Sequence, residues 1–335
     1  MISKEKYDRI TETSKKEAQG SMEIIISKGQ DQKTVGQILR EDLRLSRRII
    51  SLLKQRPDGI LLNGTHATVR NKAVYDDVLR INYADEELLF DENHIVPTDL
   101  PFEIVYQDHD LILINKPHGM PTHPSRNHRE DTLANGLAHM CRVVGSPFVF
   151  RPINRLDKDT SGLVLVAKNK LAAYRLSESM KAGEIHKSYV ALLCGRISNE
   201  VGELRDFMHR APESKMLRCL CQKNDEGAML ALTKYKRIAA NDMFSVVVAA
   251  PITGRTHQLR LQFSACGHPI CGDTLYGYPY EHIGRQALHA FRLSFPHPTT
   301  QKRLQFSIPL PDDMARLCQK TMGTETFTYL NQGEL

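Results

Sequence analysis

The sequence predicts an α+β protein: a mixed, largely antiparallel sheet with flanking helices, preceded by a small helix–helix–hairpin unit. Three observations lead there. Hydrophobic residues make up 41% and charged residues 25% of the 335, enough for real cores and too evenly charged for a disordered chain. Beyond residue 103, strand-like runs outnumber helical ones. They also fail to alternate strictly with helices, which argues against a doubly wound parallel sheet. At roughly 150 residues per domain the length suggests two domains.

The elements follow in order. Residues 1–20 are rich in Lys, Glu, Ser and Thr without a period and read as an extension. From Thr34, the spacing of Val35, Ile38, Leu39 and Leu43 predicts a helix, and Ser46 is placed to cap a second one carrying Ile49, Ile50, Leu52 and Leu53. Pro57-Asp58-Gly59 stops it. Ile60-Leu61-Leu62 then meets Asn63-Gly64, a two-residue hairpin signal. This unit spans 21–83. Residues 84–102, acidic and carrying Pro97 and Pro101, suit a linker. In the larger domain, 103–320, strands are expected at 104–106, 111–115, 162–167, 189–194, 231–235, 244–249, 288–294 and 304–308. Helices are expected at 132–140, 170–181, 257–265 and 313–320, and 321–335 is left as a tail.

Lys+Arg 45 against Asp+Glu 39 gives +6, a mild bias compatible with a polyanionic partner. Its distribution says more: Arg40, Arg44, Arg47, Arg48, Lys54 and Arg56 crowd the two N-terminal helices, with Lys72 and Arg80 beyond the hairpin. On charge alone, a solvated helix face explains this as well as a nucleic-acid contact does. No apolar run approaches the roughly 18 residues of a membrane span. The first residues lack the apolar centre of a secretory signal, and seven thinly spread cysteines suit a reducing compartment, so the cytoplasm is the expected location. The chain has no G-x-x-x-x-G-K-[ST], G-x-S-x-G or H-E-x-x-H, which removes the usual parts of nucleotide hydrolysis, serine esterases and zincins. The cysteine spacings C-x-C (219, 221) and C-x4-C (266, 271) are loose with no second matching pair, so no metal is expected.

Two patches carry chemistry. In Arg151 to Lys168, a polar turn dense with charge runs straight into an apolar strand, so Asp157 or Asp159 is either a turn cap or a carboxylate held where a loop meets a rigid sheet. In Thr253-Gly-Arg-Thr-His-Gln-Leu-Arg260, Arg255 precedes a helix and is either a solvated arginine or an anion partner. Facing Asp157, it would keep that carboxylate charged.

Four ordered blocks decide between these readings: Asn115-Lys-Pro-His-Gly-Met-Pro-Thr-His-Pro124; Asn154-Arg-Leu-Asp-Lys-Asp-Thr-Ser-Gly162; Lys187-Ser-Tyr-Val-Ala191; and Thr253 to Arg260, continued by Gly267-His-Pro-Ile-Cys-Gly-Asp-Thr-Leu-Tyr276-Gly. With Leu288-His-Ala-Phe they make residues 103–310 resemble the RluA-type family of RNA pseudouridine synthases. The resemblance implies a pseudouridine synthase catalytic domain that isomerises specific uridines, foremost in ribosomal RNA with transfer RNA as the other class, without a cofactor and with base flipping. It implies Asp157 as the reacting carboxylate, Arg255 as its basic partner, Tyr189 against the target base and Arg155 inserted into the vacated stack. Lys116, His123 and Arg260 are expected to shape or charge the RNA cleft. Asn154 departs from the family pattern, which has His before Arg-Leu-Asp. Residues 21–83 resemble the alpha-L RNA-binding module of a small-subunit ribosomal protein, which implies phosphate contacts from Arg44, Arg47 and Arg48. The rival reading is a non-catalytic RNA-binding or ribosome-assembly factor, which would have no need of Asp157, Arg255 and Tyr189 together.

Overall fold

Two sheets organise the chain in a computed structural model that describes residues 21–43, 45, 47–82, 95–146, 148–214 and 216–322. The smaller has four strands, β1 (Ser21–Ile25), β2 (Ile60–Leu62), β3 (Thr65–His66) and β4 (Val78–Asn82), in the order β1-β4-β2-β3. Against it lie α1 (Val35–Gln37), continued as a π turn over Ile38–Asp42, and α2 (Arg47–Lys54). Thr34 caps α1, accepting from the Gln37 amide while Gln37 returns its side-chain oxygen to the Thr34 backbone. Asn63 and Gly64 both have positive φ, 51° and 76°, as a two-residue primed turn requires. Val35, Ile38, Leu39, Leu53, Ile60, Leu79 and Ile81 form this core, and Leu171 from the larger part packs into it. The two helices and the hairpin match expectation, while Ser46, the expected cap of the second helix, lies outside the described residues; β1 and β4 complete the sheet.

The larger sheet has eleven strands. Its main path is β11 (Arg218–Cys221), β10 (Val201–Arg210), β12 (Met229–Ala240), β13 (Phe244–Pro251), β9 (His186–Cys194), β14 (Leu288–Pro296), β8 (Ser161–Ala167), β6 (Leu111–Lys116) and β5 (Glu103–Gln107). The short β7 (Arg151–Pro152) pairs with β8, and β15 (Arg303–Ser307) with β14. Every pairing is antiparallel except β14 with β8, where His289 lies opposite Ser161 and Ala290 opposite Gly162. This is the mixed, largely antiparallel sheet expected. All seven residues of β8 are buried because both faces are covered. Val164 and Val166 join one cluster with Leu133 and Leu137 of α3 (Leu133–Val143), Leu259 and Phe263 of α5 (Gln258–Ala265), and Met314 and Leu317 of α6 (Asp312–Met322). Leu163 and Leu165 join the opposite cluster with Ala172 and Leu176 of α4 (Lys170–Lys181).

The expected linker, 84–102, is described only from Ile95. Its first residues, and the extension at 1–20, lie outside the described residues. From Ile95 onward it packs on the larger domain: Asn135 donates to the Val96 carbonyl, and Phe102 lies where a side chain on Gly136 would sit, 2.9 Å from an added Cβ.

Gly162 sets how closely β14 approaches β8. Its φ is +119°, and an added Cβ would come 2.3 Å from the Ala290 carbonyl oxygen and 2.6 Å from the Ala290 nitrogen. Replacing Gly162 with Ala is expected to destabilise the fold by about 3 kcal/mol or more, measured by urea unfolding, because backbone on both sides must shift.

Candidate active site

The loop before β8 carries Asp157, and almost every polar group around it is tied down. Asn154, buried, imitates a peptide group: its Nδ2 donates to the Leu163 carbonyl (3.0 Å) and its Oδ1 accepts from the Leu165 amide (2.8 Å), extending the ladder of β8. The Thr122 hydroxyl exchanges bonds with both backbone groups of Leu156, at 2.9 and 3.2 Å. Thr160 closes the turn by donating its amide to the Asp157 carbonyl (3.1 Å). Lys116 donates to the carbonyl of Lys158 (3.0 Å) and to those of Pro117 and Met120, and Arg285 donates to that of Asp159 (3.2 Å). Among these fixed groups the Asp157 side chain keeps 26% of its surface open.

Its charged neighbour comes from α5. Arg260 forms a fork on Asp273, Nε to Oδ2 at 2.7 Å and Nη2 to Oδ1 at 2.8 Å, and its remaining Nη1 lies 3.3 Å from Asp157 Oδ2. Burial alone would raise the Asp273 carboxyl. The bonds and charge of Arg260, with the amides of Leu275 and Tyr276, instead hold it below the usual carboxylate range. His257 caps α5 in the left-handed region (φ 58°), with its Nε2 3.9 Å from Asp157 Oδ2 and its Nδ1 hydrogen-bonded to the Tyr276 hydroxyl at 2.9 Å. Burial lowers the His257 ring below its ordinary value against the pull of Asp157. Gln258 holds the preceding turn, accepting from the Thr253 hydroxyl and the Arg255 amide and donating to Leu232 and Thr233.

Tyr189 on β9 is 8% exposed, and burial, then the Asp157 charge, push its phenol above the ordinary value. It stays protonated at neutral pH. The arrangement therefore offers one accessible carboxylate, a guanidinium fixed beside it and a phenol ring within reach of its charge.

The RNA pseudouridylate synthase family profile matches residues 110–265. The chain is 35% identical over 276 residues to the uncharacterized RNA pseudouridine synthase YjbO of Bacillus subtilis, covering 82% of this chain and 95% of that protein. The chain belongs to the RNA pseudouridine synthase family. It is also 31% identical over 300 residues to the ribosomal large subunit pseudouridine synthase D of Zymomonas mobilis, covering 84% of this chain and 94% of that protein. Among solved structures, human RNA Pseudouridylate Synthase Domain Containing 1 superposes with a TM-score of 0.52 at 30% identity, covering 62% of this chain and 83% of that one. The protein is thus an RNA pseudouridine synthase, an isomerase acting on uridine in RNA.

In this synthase several expected placements change. Arg255 does not pair with Asp157: it is exposed and its Nε donates to the Leu230 carbonyl (3.1 Å), because it precedes α5 while Arg260, one turn in, shares the face of His257. Arg260 is correspondingly not a free RNA-binding cation, being 8% exposed and spent on two carboxylates. Lys116 has no surface for RNA either: it is fully buried, and desolvation lowers its ammonium to about 7 while Asp159 and Asp157 pull it back up. His123 stays half-buried with its ring against Phe150, and Arg155 is exposed. On α2, Arg47 is exposed; Arg44 and the Arg48 side chain lie outside the described residues. Sequence reasoning missed Asp273, Tyr276, Thr122 and Arg285, although all but Arg285 lay inside the quoted blocks. Among the described residues, no group of three or more His, Cys, Asp or Glu is placed to hold a metal, and no helix is long and apolar enough to cross a membrane.

His289 reports on the β8–β14 junction beneath this loop. Its Nδ1 meets the Ser161 hydroxyl at 2.8 Å, and burial, reinforced by the Arg285 charge, lowers its pKa from 6.5 to about 3. The folded protein keeps this ring neutral while the unfolded chain takes a proton below pH 6.5. Stability is therefore expected to fall between pH 6.5 and 3, with up to about 1.4 kcal/mol per unit from this group. Urea melts across that window should show a shallower slope for His289→Gln than for the native protein.

Proposed function

We propose that this synthase converts specific uridines of structured ribosomal RNA to pseudouridine in the cytoplasm, without a cofactor, and that Asp157 carries the reaction. The observation that supports it most directly is the half-open Asp157 carboxylate held beside Arg260. Attack at the ribose C1′ and removal of the 2′ proton both start from such a carboxylate. Either route breaks the N1–C1′ bond, turns the base, forms the C5–C1′ bond, releases the C5 proton and returns a proton to N1, with no net change in atoms or charge. Tyr189, protonated and buried at its back, packs against the base. Exposed Arg155 fills the stack that the extruded uridine vacates, offsetting a flipping cost of a few kcal/mol. The ribosomal substrate is supported by relatives of Zymomonas mobilis and Neisseria meningitidis named ribosomal large subunit pseudouridine synthase D.

Tritium release from C5-labelled uridine in RNA tests the site. Asp157→Ala should abolish it, and Arg260→Gln should cost about 100-fold or more, whereas Arg255→Gln should cost far less. Undiminished release by Asp157→Ala would take the reaction away from Asp157, and no release by the native protein would leave a non-catalytic RNA-binding role as the remaining reading.

Residues 21–83 act as the alpha-L-type RNA-binding module in this proposal. Exposed Arg47 and Lys54 stand seven residues apart on α2 and so share one face, and Arg40, Arg70 and Lys72 are also exposed. Replacing Arg47 and Lys54 by Gln should weaken RNA binding and reduce the slope of log affinity against log salt by about 1 to 2. An unchanged slope would remove the phosphate contacts from the proposal.

A further inference from the structure

We infer that Arg285, aimed by Asp313 at the start of α6, is a positioning residue for the Asp157 loop, an inference that rests on Asp157 carrying the reaction. The placement begins with the sheet. Because β14 runs parallel to β8 with His289 opposite Ser161, the residues just before β14 lie beside the residues just before β8. Arg285 and Gln286 occupy that position, 5% and 4% exposed. The Gln286 Nε2 donates to the Thr160 hydroxyl at 3.2 Å, and the Arg285 Nη1 donates to the Asp159 carbonyl at 3.2 Å.

The remainder of the guanidinium is oriented elsewhere. Its Nε and Nη2 form a fork on Asp313, at 2.7 and 2.9 Å, which fixes the plane of the group. Nη1 is then directed at the carbonyls of Asp159, Gln286 and Leu288, at 3.2, 3.1 and 3.4 Å. Asp313 itself accepts the Met314 amide at the first turn of α6, and the Arg285 bonds and charge hold its carboxyl below the usual range against the opposing effect of burial. A helix far along the chain thus fixes, through one guanidinium, the carbonyl two residues after Asp157. Arg285 makes no ion pair with Asp157 and acts through the backbone, as Arg260 does not.

Steady-state kinetics on the full-length enzyme with one RNA substrate test this. Arg285→Gln is expected to lower kcat by about 10- to 100-fold while leaving KM nearly unchanged, because the loop shifts without losing RNA contacts. Arg285→Lys should recover part of the loss, and Asp313→Asn should lower kcat in the same direction. Arg285→Gln combined with Asp313→Asn should be no worse than Arg285→Gln alone, since both act through one group. Native kcat in folded Arg285→Gln, or a loss confined to KM, overturns the inference. Should Arg285→Gln not fold, as read by circular dichroism, Asp313→Asn decides the matter by the same criteria. Asp157→Asn in the same assay separates the two readings: its retained turnover defeats the role of Asp157, whereas its inactivity beside native kcat in the Arg285 and Asp313 variants defeats only the positioning role.

Discussion

A carboxylate on a loop is useful for chemistry only if the loop has one conformation, and a loop has no neighbouring strand to satisfy its peptides. Around Asp157 that problem is solved by side chains. Asn154 substitutes for a strand on one side, Thr122 takes both backbone groups of Leu156, and the cations of Lys116 and Arg285 take the carbonyls of Lys158 and Asp159. Each bond contributes only about 1 kcal/mol net, but leaving any of these buried groups unpaired would cost more than that. The loop is therefore held by the penalty for opening it, which is the condition for preorganised electrostatics.

The same bonds account for an arrangement that charge counting alone would disfavour. Lys116, Arg260 and Arg285 are all buried and all reach residues 157–159, and burying a cation is costly unless it is paired or fully hydrogen-bonded. Arg260 and Arg285 each answer this with a carboxylate fork, on Asp273 and Asp313, and Lys116 with three carbonyl oxygens. Asp157 differs from the other two carboxylates in receiving only the spare edge of a guanidinium, 3.3 Å away, and unlike Asp273 it stays partly open. It has charge to offer because its partner is already engaged elsewhere.

Much of this was legible in the sequence and some was not, for identifiable reasons. Strands such as β6 and β8 announce themselves as apolar runs because both faces are buried, and Asn63-Gly64 dictates its turn by backbone conformation alone. The hairpin β10–β11 went unnoticed because its strands are mostly half-exposed and mix charge with apolar residues. A polar turn feeding a core strand drew attention to Asp157 and Asp159 together, and the resemblance to the family chose Asp157. Arg255 was expected as its partner from its place before the helix and from the resemblance, whereas helical spacing puts His257 and Arg260 on one face of α5. Arg285 could not be found locally: its relation to Asp157 exists only through the parallel pairing of strands more than a hundred residues apart, which no short motif encodes.

Asn154, where the resemblance leads one to expect His, fits the same logic. Through residues 154 to 157 burial alternates: Asn154 and Leu156 are buried, Arg155 is exposed and Asp157 is half-open. The residue at 154 thus belongs to the inner row, and what that row needs is one donor and one acceptor matched to the β8 backbone, which a carboxamide supplies at 3.0 and 2.8 Å. No titratable ring is required there. The outer row holds Arg155 and Asp157 as next-but-one neighbours, so an arginine entering an RNA stack would carry the carboxylate beside it to the extruded nucleotide. Exchanging His for Asn changes the inner anchor and leaves that outer pair intact.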